Sequence, residues 1–204
     1  MLPSTAARGQ GRDRLVQSAL ILFGQQGIDN TSLREVVAHA GVSLGLVRTH
    51  FGSKQGLQNA TNQYVFEQLE EFYTAAEGEG MTSLGDFLSG RWALASQAPS
   101  IMAYLRQLIT KPEHFSELFE RVFERVYMIL EHASKEGRIH PQLDLSWCSC
   151  TIMSLGLGPL MMEPYAHKVI GDSMYSESSL MARKQTYGQI FANGLLAKGT
   201  VSES

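Results

Sequence analysis

Apolar side chains recur along most of this chain every three or four residues. Nowhere do they alternate with the period of two that marks a strand. Leu15, Ala19, Leu22 and Phe23 fall at i, i+4, i+7 and i+8, one face of a helix predicted from about Arg12 to Gln26. Gly27 ends it, because glycine takes the left-handed conformation that closes a helix. Thr31 and Ser32 are both good caps for the next start, and Ser32-x-x-Glu35 has the form of a capping box. Leu33, Val36 and Val37 then carry an apolar stripe to His39-Ala40. Gly41 breaks the pattern, and Ser43 stands where it can cap a third helix, Leu44 to Phe51. So short a helix is unstable alone and must be held by packing. Val42, Val47 and Phe51 are its anchors, and Ser53 caps a long helix from Lys54 to about Ala76.

Glu77-Gly78-Glu79-Gly80 reads as the one clear linker. Beyond it, Ser83-x-x-Asp86 starts a helix ending near Gln97, and Pro99-Ser100 starts another through Tyr104, Leu105 and Leu108. Pro112 suits the first turn of the next, where its missing N–H costs nothing. That helix reaches Gly137 along the stripe Phe115, Leu118, Phe119, Val122, Phe123, Val126, Ile129, Leu130 and Ala133. Asp144 caps a mostly apolar helix from Leu145 to about Met162, with a bend predicted at Gly156, Gly158 and Pro159. Ser176 to Ser179 opens the last, ending near Lys198 before a frayed tail. The expectation is an all-α protein of about nine helices. A three-helix head over 1–60 precedes a helical-bundle body over 61–204.

Length and composition agree with one domain or two small ones: 204 residues, 44% hydrophobic and 18% charged. No unbroken apolar run reaches the roughly 18 residues of a membrane span. Met1 to Arg14 lacks the apolar core of a signal peptide, so the expected location is cytoplasmic, with no membrane partner. Cys148 and Cys150 would point about 200° apart on a helix, which excludes a mutual bridge and leaves small buried thiols. Net charge is −3, but it is unevenly spread. Residues 1–60 hold six Lys/Arg against three acids, and the remainder holds eleven against seventeen. A basic head on an acidic body implies that the head alone faces a polyanion.

Gly41, between two short helices, sits where a helix-turn-helix needs its sharp turn. Competing chemistry is weak. Gly156-x-Gly158 lacks a third glycine and a preceding strand, so it is no dinucleotide loop. His114, His132, His140 and His167 have no ligand-pair spacing on a helix face, and no metal or cofactor is expected. No Ser/His/Asp or Cys/His grouping points to an enzyme.

Arg14 to about Gln63 resembles the DNA-binding head of the TetR family of bacterial transcription regulators. The residues that carry the likeness are Ala19, Leu22-Phe23, Gly27, Thr31-Ser32, Val36-Val37-Ala38, Ala40-Gly41-Val42-Ser43, Gly45, Val47, His50-Phe51 and Lys54-x-x-Leu57. Arg48, Thr49 and Leu46 depart from residues common in that family.

The resemblance implies that the Leu44–Phe51 helix enters a major groove. Candidate DNA contacts are Thr31, Ser32, Ser43, Leu44, Gly45, Arg48, Thr49, His50 and Lys54. Arg48 is the base reader, since a guanidinium takes guanine O6 and N7 together. Lys54 is the phosphate lysine. Thr31 and Ser32 place a helix N-terminus at a phosphate, and Arg8, Arg12 and Arg14 form a loose basic arm.

In the body, large apolar residues suggest a ligand cavity lined by Trp92, Tyr104, Phe119, Phe123, Tyr127 and Trp147. The expected molecule is a homodimer joined through its last two helices. It represses at a palindromic double-stranded DNA operator and is released by a small, largely apolar effector. The competing readings are an all-helical small-molecule enzyme, which predicts turnover, and a non-inducible DNA-binding or protein-docking module, which predicts a filled core.

Overall fold

The computed structural model describes residues 5–77 and 98–194. Residues 78–80 of the expected linker, the Ser83–Gln97 helix and the C-terminal tail lie outside the described residues. Eight α-helices and no strand occur among the described residues. They are α1 (Thr5–Gln26), α2 (Leu33–Ala40), α3 (Leu44–Phe51), α4 (Lys54–Glu77), α5 (Ala98–Ile109), α6 (Pro112–Lys135), α7 (Leu145–Val169) and α8 (Glu177–Gly194).

Packing divides the chain into two compact units. The first comprises residues 1–69 and 96–118, and the second 70–95 and 119–204. In the first unit α1 is the central helix. It starts at Thr5 rather than Arg12, since Ala6, Ala7, Arg8 and Gln10 are strong helix formers. Leu15, Ala19, Leu20 and Phe23 are fully buried on it. Gly27, at φ +87°, turns the chain after its last residue.

Against α1 lies α5, which buries Ile101, Tyr104, Leu105 and Leu108. The approach is close: a Cβ on Gly24 would stand 2.9 Å from the Tyr104 main-chain nitrogen. The Phe23 and Tyr104 rings stack with centroids 6.2 Å apart. The Tyr104 hydroxyl donates to Asn62 Oδ1 of α4 at 2.7 Å, and burial pushes that phenol far above its ordinary value. Leu57, Thr61, Val65 and Leu69 complete the core at the i+4 spacing of one α4 face.

In the second unit, Leu130, Ala133 and their predecessors Val122 and Val126 form the buried stripe of α6. Ile139, Ile152, Met153, Leu160, Ala166 and Leu180 are buried as well. Asp144 caps α7 by accepting from the Trp147 N–H at 2.9 Å. α7 passes Pro159 and continues beyond the predicted end at Met162, through Pro164, to Val169. Each proline removes one donor without ending the helix, and His167 and Lys168 suit the negative end of its dipole. Past α7, the Glu163 carboxylate accepts from Ser173 Oγ at 2.6 Å and the Met174 N–H at 2.9 Å, which fixes the turn into α8.

Two expectations need correction here. Counting unbroken apolar runs missed that α7 is long and apolar enough to cross a membrane. Its Ser, Thr and Gly interrupt the run yet cost little hydropathy. Cys148 and Cys150 are free but half-buried rather than buried, and burial pushes the Cys148 thiol up.

Candidate nucleic-acid interface

The head is built around two turns. At the first, Ser32 is the N-cap of α2, and the capping box is complete. Ser32 Oγ accepts from the Glu35 N–H at 3.2 Å, and Glu35 Oε2 accepts from the Ser32 N–H at 2.7 Å. Those bonds hold the Glu35 carboxyl below its ordinary value.

Thr31, expected to share the capping and the phosphate contact, turns its side chain inward. It is 1% exposed, and its hydroxyl donates inward to the Gly27 carbonyl at 2.7 Å. The outward-facing hydroxyl of the pair belongs to Ser32, which is exposed.

At the second turn Gly41 adopts φ +63°, and a Cβ there would stand 2.7 Å from an Arg14 guanidinium nitrogen. Arg14 thus lies over the turn. Arg12 lies over the Phe51 ring, 5.7 Å from its centroid. Both arginines are carried by α1 rather than by the loose arm predicted for them. The side chain of Arg8 lies outside the described residues. Ser43 occupies the N-cap of α3 but makes no side-chain capping bond. The first N–H groups of α3 therefore have no side-chain partner in Ser43.

Helical geometry sorts the α3 side chains. At about 100° per residue, Leu44, Arg48, Gly45 and Thr49 span an arc of roughly 140°. All four are exposed. Val47, on the other side, is fully buried. A Cβ on Gly45 would meet only Ser43 Oγ, at 3.7 Å, so no packing inside the head demands a glycine there. The Thr49 hydroxyl donates back to the Gly45 carbonyl at 3.0 Å. His50 belongs to the inner side: it is half-buried, and its Nε2 is enclosed with no bonding partner.

Ser53 caps α4 by accepting from the Gly56 N–H at 3.1 Å. Gly56 was not foreseen as special. A side chain there would collide with the Phe51 carbonyl, so this glycine lets α4 start directly against the end of α3. Lys54 donates to the Asp29 main-chain carbonyl at 3.2 Å. One donor of its ammonium is thus anchored beside the α2 N-terminus. Asp29 was also missed, since its partners Lys111 and His114 lie 82 and 85 residues away in sequence.

Three of the six residues expected to line a cavity stand side by side. Phe119, Phe123 and Tyr127 form a stacked ladder on α6, with centroids 6.4 and 6.2 Å apart. An open groove of about 310 Å³ lies beside Phe123, Glu124, Tyr127 and Met128. Tyr104 is instead a core residue of the first unit, its hydroxyl committed to Asn62. Trp147 is 73% exposed in the first turn of α7. Trp92 lies outside the described residues. Among the described residues, no three His, Cys, Asp or Glu side chains stand together as metal ligands.

Comparison with known proteins bears on the same stretch. Residues 15–61 match the sequence profile of bacterial regulatory proteins of the tetR family. The transcriptional regulatory protein RaaS of Mycobacterium tuberculosis is 30% identical over 132 residues, 64% of this chain. The chain spans 60% of the length of that relative. Among solved structures, a putative TetR-family regulator from a Rhodococcus species superposes with a TM-score of 0.70 at 20% identity. That likeness covers 89% of this chain and 98% of the other. An ArpA-like gamma-butyrolactone receptor gives 0.64 at 23% identity, over 94% and 91%. These two show a shared fold. The chain thus carries a head over 15–61 of the kind found in bacterial regulatory proteins of the tetR family, on a fold shared with those two solved structures.

Proposed function

We propose that this protein is a dimeric, ligand-responsive transcriptional repressor of the cytoplasm, with no catalytic role. The observation that carries the reading is the exposed arc of Leu44, Gly45, Arg48 and Thr49. It is flanked by the capped N-terminus of α2 and by Lys54. In this reading α3 enters the major groove, Arg48 reads a base edge, and Gly45 admits the backbone. Ser32, Ser43 and Lys54 meet phosphates, helped by the positive end of α2. The head over 1–60 reads DNA, and the body over 61–204 binds an effector and dimerises.

Support for a dimer comes from apolar surface on the last two described helices. Trp147, Met162, Tyr165, Val169, Met181 and Ile190 are each more than half exposed. A self-complementary two-fold contact would cover that surface. It would also explain why a helix apolar enough for a membrane occurs on a DNA-binding chain. Support for a ligand comes from the Phe119–Phe123–Tyr127 ladder and the groove beside it. The solved relative described as a gamma-butyrolactone receptor supports a small, largely apolar effector. Such an effector acts by preferring the spacing of heads that does not fit the operator.

The phosphate role of Lys54 is directly testable. Lys54→Ala should weaken binding to every duplex. It should also lower the magnitude of the log–log salt slope by about one unit, the value for one lost phosphate contact. Anisotropy titrations across a salt series measure both. Unchanged affinity and slope would remove Lys54 from the interface.

A further inference from the structure

One face of α6 carries three aromatic rings in succession. Phe119, Phe123 and Tyr127 follow at i, i+4 and i+8, their planes 23° and 26° apart and their centroids 6.4 and 6.2 Å apart. Rings at that spacing are offset, so neighbours in the ladder do not cover each other's faces. All three are half-buried. They belong to the second compact unit, as does the open groove of about 310 Å³ beside Phe123, Glu124, Tyr127 and Met128. That volume suits a small molecule rather than a macromolecular partner.

Charge is unevenly placed about the rings. At about 100° per residue, Glu120 and Glu124 lie roughly 60° and 100° round the helix from Phe123, on the Tyr127 side. Val126 and Val122, both buried, lie at roughly the same two angles on the opposite flank. Arg121 and Arg125 stand roughly 160° away, at the back of the helix. Arg125 is bonded to Glu70 of α4 at 3.2 Å, and Lys135 to Glu131 at 2.8 Å. Glu120 and Glu124 are exposed, and among the described residues neither enters an ion pair. The ladder thus has the core on one flank and unanswered negative charge on the other.

We propose that the groove beside Phe123 and Tyr127 is a binding site for a small organic cation with an apolar body. The inference rests on the ligand reading of the body, which it deepens by fixing the sign of the effector's charge.

An aromatic face is the negative end of the ring quadrupole, so it attracts a cation. Glu124, in the groove wall, adds a full negative charge, and Glu120 adds a second one turn earlier. Met128 supplies a polarisable wall that adapts to an apolar chain. A quaternary ammonium suits such a site better than a primary one, because it has no N–H donors to leave unsatisfied. A neutral molecule of the same shape gains nothing from the carboxylates, and an anion is repelled by both.

The test uses the full chain with carbon-13 in its methionine methyl groups. Met128 is one of nine methionines, and Met128→Leu assigns its resonance. Three probes share one hydrocarbon chain and differ in charge: octyltrimethylammonium, n-octanol and octanoate, each below its micelle concentration. The Met128 signal should shift with octyltrimethylammonium at a concentration roughly three- to tenfold lower than with n-octanol, and octanoate should bind weakest. Glu120→Gln/Glu124→Gln changes only exposed side chains. It should weaken the cation about two- to fivefold and leave n-octanol unchanged. Tighter binding of n-octanol or octanoate, no Met128 shift with any probe, or an unaltered cation affinity in the double variant would overturn the proposal.

The same probes are then added to a labelled duplex selected from a random library by the wild type. Cation binding at Met128 without release of the duplex would uphold the site and remove the effector reading. Release by n-octanol but not by octyltrimethylammonium would keep the effector reading and overturn the cation.

Discussion

Tyr104 shows how a residue's chemistry can be read correctly and its place misread. Its ring and hydroxyl suit a ligand pocket, yet the ring is fully buried against Phe23 and the hydroxyl is committed to Asn62. Asn62 is itself 5% exposed. Tyr104→Phe should leave its Oδ1 without that donor and cost about 1–3 kcal/mol, the usual penalty for stranding a buried acceptor. Urea unfolding should show a lower midpoint with an unchanged slope. A midpoint equal to that of the wild type would mean that the bond carries no net stability. The α3 arc has the opposite character. Arg48 is exposed, and Gly45 meets almost nothing within the chain. Residues that the fold does not need are the ones left available for a partner.

Among the elements, α2 depends most on a single local device. Its eight residues make a marginal helix without help. Ser32→Ala should cost about 0.5–2 kcal/mol at pH 7. The Glu35 half of the box carries a pH signature. A carboxyl held below its ordinary value stabilises above that value, and the contribution fades as pH falls through the lowered one. Glu35→Gln should therefore destabilise at pH 7 and by less near pH 3, by urea midpoints at both pH values. A gap of equal size at both would show that the carboxylate form does not matter.

Elements whose ends are set by neighbours in sequence were legible: Ser32 with Glu35, Gly41, the span Leu44–Phe51, and Lys54 after Ser53. Ends set by less local forces were not. The passage of α7 through two prolines goes against the local signal that proline gives. The Asp29 cluster joins residues that no sequence window puts side by side. In the candidate site, periodicity placed the exposed arc of α3 but could not tell that Thr31 turns inward while Ser32 faces out.

At the scale of the molecule, the proposed function gives one α3 only a half-site to read. A single head offers too few base contacts for an operator, and two heads need a two-fold contact such as the exposed apolar faces of α7 and α8 would supply. The central claim is that the exposed arc of α3 reads DNA in pairs. Selection of bound duplexes from a random library, with wild type and Arg48→Ala side by side, tests it most directly. The wild type should enrich an inverted repeat whose half-sites lie about 34 Å apart or a multiple of that. Arg48→Ala should cost about 1–3 kcal/mol on that site and relax one base position in each half. No enriched motif, or the same motif from both proteins, would contradict the account.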